Sequence, residues 1–275
     1  MVFKSYLIIY LFTKMNLINK INYNNLQKKY LSAKPFNHVV IDNFFKNDFA
    51  LKLESEFPEF NDKSWYFYDN PIEHKKTMNH WDRFPKNTYQ AFSFLNSQNF
   101  IEQLEDLTGI NNLLPDVGLN GGGLHVHSAG GKLNVHLDYS IHPKLLLERR
   151  LNIIIYLCKD WQESWGGHLG LWSHDEKNQK PKDCIHKISP IFNRAVIFDT
   201  TQNSWHGLPE KIKCPEGVYR KSIAVYYLSK PRKNASTRGK ALFAPYGNQA
   251  ENQEILELIK KRSQVSSAQD VYNKK

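Results

Sequence analysis

Hydrophobic positions change their spacing twice along this chain. In the first hundred residues they recur at helical intervals. Ala50, Leu53 and Phe57 fall at i, i+3 and i+7 behind Asn47, a side chain suited to an N-cap, and Pro58 closes the run. A second stripe, Ile101, Leu104 and Thr108, predicts a helix over 99–108 with Gly109 as its cap. Val39, Val40 and Ile41 form a short apolar strand. The aromatic stretch 65–81, with Trp65, Tyr66, Phe67, Tyr68 and Trp81, keeps neither period and reads as a long loop with local structure.

From Gly121 the period becomes two. Leu124 and Val126 alternate with His125 and His127, and Leu133, Val135 and Leu137 alternate with Asn134, His136 and Asp138. Continuous apolar runs follow at 153–157, 195–198 and 223–228, each bounded by turn residues. Short strands with no helical pattern between them predict an all-β sandwich or barrel. The chain then returns to helix: Glu251 and Glu254 lead, Ile255, Leu258 and Ile259 form the stripe, and Lys260, Lys261 and Arg262 close it. That order complements the helix dipole. The expected organisation is an N-terminal extension over 1–34, a mainly β domain with flanking helices over 35–230, and a basic tail with a helix over 231–275.

Composition narrows the class. A chain of 275 residues that is 41% hydrophobic and 13% aromatic supplies a sizeable core, which excludes a disordered protein. Cys158, Cys184 and Cys214 are odd in number and far apart, so they predict neither a disulfide framework nor a zinc knuckle. A reducing, cytoplasmic setting follows. The formal charge is +10, and from Lys230 onward ten basic residues face four acidic ones. Most of the excess therefore reads as a solvated tail, with a nucleic-acid-associated basic protein as the alternative. The apolar stretch at 6–12 is far short of the ~20 residues a membrane span needs. No small-residue cleavage site follows it, and Met15 is a candidate true start.

The chemistry centres on His136-Leu137-Asp138. On a strand, residues i and i+2 share a face, so one imidazole and one carboxylate project together. A third ligand must come from a neighbouring strand, and His206 is the candidate. Two histidines and one carboxylate form the facial triad that leaves three positions of a metal open. His125-Val126-His127 is a rival pair of the same spacing.

The segment 121–228 resembles the prolyl-4-hydroxylase-like branch of the 2-oxoglutarate- and Fe(II)-dependent dioxygenases. Four motifs carry the resemblance in order: His136-Leu137-Asp138 as the metal-binding HxD; the strand ending Tyr156-Leu157 and Trp161, followed by Gly166-Gly167-His168-Leu169; Trp205-His206-Gly207 with the distal histidine; and Arg220-Lys221-Ser222 as the RxS strand. The lead-in 35–42 is similar as well. The resemblance implies a double-stranded β-helix, the cupin-like jelly roll, and Fe(II) held by His136, Asp138 and His206. It implies 2-oxoglutarate as co-substrate, with Arg220, Ser222 and Tyr156 on its distal carboxylate, and O₂, with ascorbate as an auxiliary reductant. Succinate and CO₂ would be released.

The residues suit those roles. Arg220 and Ser222 share one strand face, alternating with Lys221 and Ile223 pointing outward, and a guanidinium fork suits a carboxylate. Asp138 favours hydroxylation over halogenation, since the family's halogenases lack that carboxylate. Two features depart from the pattern: the 206–220 interval is long, and His168 stands where relatives carry an acid. The primary substrate stays open between a peptide and a small molecule, with the stretches 65–81 and 142–150 expected at the entrance. A catalytically inert jelly-roll binding module is the alternative from another class.

Overall fold

The structure, a computed structural model, describes residues 17–264. The stretch 6–12 and Met15 lie outside the described residues. In chain order come α1 (Tyr23–Ser32), β1 (His38–Ile41) and α2 (Asn47–Ser55), then β2 (Tyr66–Asn70) and β3 (Glu73–Met78). Helices α3 (Lys86–Leu95) and α4 (Gln98–Thr108) precede β4 (Leu114–Pro115), β5 (Gly123–His127), β6 (Lys132–Leu133) and β7 (His136–Leu137). The rest comprises β8 (Glu148–Tyr156), β9 (Leu169–Asp175), β10 (Lys180–Ile188), β11 (Ala195–Asp199) and β12 (His206–Gly207), then β13 (Arg220–Ser229), β14 (Leu242–Phe243) and α5 (Gln253–Ser263).

The strands form two sheets. The larger runs β1-β11-β8-β13-β5-β3-β2, with β4 also against β13 and β6 against β3; the smaller runs β10-β9-β12-β7-β14. This is the double-stranded β-helix, mainly β with flanking helices. Alternation along the central strands sorts its layers. Leu151, Ile153 and Ile155 of β8 and Ile223, Val225 and Tyr227 of β13 pack with Tyr30, Leu53, Phe92, Phe100 and Leu104 of the four N-terminal helices. The face expected to point outward is thus a buried core face, and Ile223 has no exposed surface. The opposite face, with Tyr156, Ser222 and Arg220, looks toward the smaller sheet.

Local signals explain most element ends. Ser97 accepts from the Phe100 amide at the start of α4, and Gly109 closes it in the left-handed region at φ +71°. At α2 the cap is Lys46 with no side-chain bond, and Asn47 is the first helical residue. Tertiary anchoring replaces the cap there: Asn193 accepts from the Phe45 amide at 2.9 Å and donates to its carbonyl at 2.7 Å. The 65–81 stretch is a hairpin rather than a loop. Asn70 Oδ1 accepts from the Ile72 and Glu73 amides to make its turn. Beyond residue 230, β14 pairs with β7, and Ile259 of α5 packs on Phe243 and Ile72. The basic segment is therefore not simply solvated: Arg232 bonds Glu148 at 2.6 Å, and Arg238 Nη2 donates to the Asp138 carbonyl at 2.6 Å.

Gly123 lets β5 close between its neighbours. It sits at φ +101°, and a Cβ there would lie 2.1 Å from the Met78 carbonyl oxygen. Gly123→Ala should cost about 3 kcal/mol or more, since backbone rather than a side chain must move. Denaturant unfolding checks this; a change under about 1 kcal/mol would show that β3 can shift aside.

Candidate metal centre and co-substrate pocket

The smaller sheet brings the first three residues together. His136 and His206 are direct cross-strand partners on β7 and β12, and their ring centroids lie 4.4 Å apart. Asp138, two residues on from His136, places Oδ1 3.9 Å from His136 Nε2 and Oδ2 3.7 Å from His206 Nε2. All three are buried, and their ligand atoms lie within 4.8 Å of one another.

This donor set fits a divalent metal. The Asn134 carbonyl holds His136 Nδ1 and the Ser204 carbonyl holds His206 Nδ1, each at 2.9 Å, which leaves both Nε2 atoms facing Asp138. A backbone carbonyl on the far nitrogen is the usual orienting contact of a metal-bound histidine. Asp138 Oδ2 is buried without a hydrogen-bond partner. Such an orphaned carboxylate oxygen is costly unless a cation completes it. Burial and the neighbouring His206 push His136 down to about 3. Burial raises the Asp138 carboxyl, but Arg149, His206 and His136 outweigh it and leave it below its usual range. A neutral imidazole and an ionised carboxylate are the forms that ligate. The rival pair stands apart: His125 and His127 are on β5 of the larger sheet, outside this cluster.

Across the cavity, Arg220 is buried and donates from Nε to the Gly167 carbonyl at 2.6 Å and from Nη2 to the Tyr156 hydroxyl at 3.3 Å. Register explains the grouping, since Ser222 pairs directly with Tyr156. A Cβ on Gly167 would lie 3.1 Å from Arg220 Cδ, so this glycine gives the arginine its room. Lys221 points the other way, bonding Glu54 of α2 at 2.8 Å. The triad, Arg220 and Ser222 line one cavity of about 380 Å³, whose lining also includes Tyr66, Tyr68 and Pro143 from the stretches 65–81 and 142–150. His168 lies outside it and bonds Glu163 at 2.6 Å.

One residue of the site escapes sequence reasoning. Arg149 is 2% exposed, with Nη1 3.3 Å from Asp138 Oδ1 and its guanidinium 3.3 Å from the ring centres of both Tyr139 and Tyr226. It completes the charge balance of Asp138. Arg149→Met should destabilise the metal-free protein by about 3–5 kcal/mol, the usual result of stranding one buried charge. Mn(II) should recover part of that loss. Denaturation with and without Mn(II) checks it; equal penalties in both would show that Arg149 acts by packing alone.

With the geometry in view, similarity to known proteins gives the class. Residues 122–252 match the model of the 2OG-Fe(II) oxygenase superfamily. The segment 122–252 is thus similar to the 2-oxoglutarate- and Fe(II)-dependent oxygenases. The mouse (Mus musculus) prolyl 3-hydroxylase OGFOD1 is 26% identical over 204 residues, covering 72% of this chain and 33% of that protein. The chain thus spans about a third of that relative's length. Among solved structures, a Trichoplax adhaerens prolyl hydroxylase, in complex with a hypoxia inducible factor peptide fragment, superposes with a TM-score of 0.54. It is 15% identical, and the match covers 75% of this chain and 90% of that one. A Pseudomonas putida prolyl-4-hydroxylase gives 0.51 at 15% identity, over 74% and 99%. These two establish the fold. Among the described residues, no helix is long and apolar enough to cross a membrane.

Proposed function

We propose that this chain hydroxylates an unactivated C–H bond: substrate, O₂ and 2-oxoglutarate become hydroxylated substrate, succinate and CO₂. The observation that carries this reading is a set of three buried ligand residues, His136, Asp138 and His206, with Asp138 Oδ2 unpartnered, lining the same cavity as a buried arginine. Held there, Fe(II) would supply O₂ activation coupled to decarboxylation of 2-oxoglutarate, which none of these side chains can provide.

The chain's own residues do the rest. Arg220 would hold the distal carboxylate with two donors of its fork, and Tyr156, already within its reach, would donate a hydroxyl proton to the same group. Ser222, on the same strand face, would add a third donor. The carbonyls of Asn134 and Ser204 keep both imidazoles in one tautomer and orientation. Arg149 keeps Asp138 ionised. The apolar side chains between the sheets, Leu169, Leu171 and Phe198 among them, exclude water from the reaction.

A peptidyl proline is the substrate class named for the relatives, and it leads the panel to be tested. Three unpaired cysteines suit a reducing, cytoplasmic setting, and ascorbate would serve as auxiliary reductant. The test is succinate formation from 2-oxoglutarate by the purified chain. Metal-dependent succinate, matched one for one by O₂ consumed, is expected. No metal-dependent succinate with any substrate of the panel would favour the inert binding module.

A further inference from the structure

The cavity extends past the co-substrate clamp. One wall holds a row across three strands of the larger sheet: Thr77 pairs with His125, and His125 with Ser222. His127 pairs with Arg220 in the next row, and alternation puts Lys75 of β3 on that face too. Strands lie about 4.8 Å apart, so β3 is about 10 Å from β13. A five-carbon diacid stretched from the triad to Arg220 and Tyr156, on the β8 side of β13, does not also reach Lys75.

The groups on this far side are incomplete. His127 is 3% exposed, and neither of its ring nitrogens has a hydrogen-bond partner; His125 Nε2 is likewise buried and unpartnered. Lys75 keeps only 14% of its side chain exposed, with its ammonium 3.7 Å from Glu73, a carboxylate that also faces Arg262 at 3.4 Å. Among the charged residues lining the cavity, Lys75, Arg149, Arg220 and Lys240 outnumber the carboxylates Glu73 and Asp138. Fe(II) and the 2-oxoglutarate dianion carry opposite charges of equal size, so their binding leaves that positive excess in place. Buried cations and orphaned imidazoles are costly without a ligand that completes them.

We infer that the primary substrate is an anion, and that Lys75, with His127 and His125, forms the subsite for its carboxylate or phosphate group. This rests on the reading that 2-oxoglutarate occupies Arg220. Lys75 supplies the charge, and the two imidazoles supply directed contacts from β5, between the clamp and β3. The acid group would then sit beside the metal centre, and the oxidised C–H bond would belong to the same part of the molecule.

The test needs no knowledge of the substrate. Inorganic phosphate is titrated into the Zn(II)-loaded chain saturated with 2-oxoglutarate and followed by ³¹P line width. Saturable binding that survives excess 2-oxoglutarate is expected. Lys75→Met and Lys75→Gln should each weaken it at least tenfold, Lys75→Arg less than threefold, and 2-oxoglutarate affinity should stay within twofold in all three. Phosphate displaced by 2-oxoglutarate, absent altogether, or bound equally by a folded Lys75→Gln would overturn the inference; the displacement result requires no variant. If 2-oxoglutarate itself fails to bind, the oxygenase reading falls, while phosphate on the metal-free chain still judges Lys75. A second arm identifies the source of the anion. Succinate formation is compared between proline peptides with Glu or Gln neighbours, and between small phosphate esters and their free alcohols. The acidic member should stimulate at least tenfold more in one set; neutral members doing as well in both would contradict an anionic substrate.

Discussion

His136→Ala, Asp138→Ala and His206→Ala each abolish turnover and weaken Fe(II) or Mn(II) binding by more than about 100-fold. That is the upper end of the loss from a mere second-layer contact, and removing a direct donor exceeds it. His125→Ala and His127→Ala retain the metal, because both sit on β5 of the larger sheet while the triad hangs from β7 and β12. Metal affinity measured by competition with a chelating dye separates the two sets. Normal affinity in His206→Ala, with loss in His127→Ala, would show that the third ligand is wrongly chosen.

Arg220→Ala raises the dissociation constant for 2-oxoglutarate about ten- to a hundredfold, from the 1.5–3 kcal/mol of a charge-assisted bond. Metal affinity changes little. Arg220→Lys recovers part of the charge but not the fork. Lys221→Ala leaves 2-oxoglutarate binding untouched, because its ammonium pairs with Glu54 on the helical side of the sheet. Calorimetric titration of 2-oxoglutarate into Mn(II)-loaded variants reads all three. An effect of Lys221→Ala equal to that of Arg220→Ala would show that the strand face is misassigned.

The parts of this molecule that follow a simple period were legible in the sequence. Alternation gave the faces of β5, β7 and β13, and Gly109 closes α4 where the sequence placed its end. Three features obeyed longer-range physics. The β2–β3 hairpin carries aromatic and charged side chains on both faces, so no polar side marks it, although Asn70 provides its turn. Strand β10 is offset from β9 by two register shifts, which erase its alternation. Arg149 is the instructive case. Strict alternation from Tyr156, Ile154 and Asn152 selects Arg150 for the pocket. A bulge leaves Arg150 without a register partner on β13, with Tyr227 opposite Leu151 and Leu228 opposite Arg149, and turns Arg149 inward instead.

The central claim is that the triad and Arg220 act on one molecule of 2-oxoglutarate. Calorimetric titration of 2-oxoglutarate into the chain with and without Mn(II) tests it most directly. One equivalent should bind to the Mn(II)-loaded chain, with affinity falling at least tenfold when the metal is removed or when Asp138 is replaced by alanine. Equal affinity with and without metal would contradict the account, because the co-substrate would then be held somewhere that the triad does not reach.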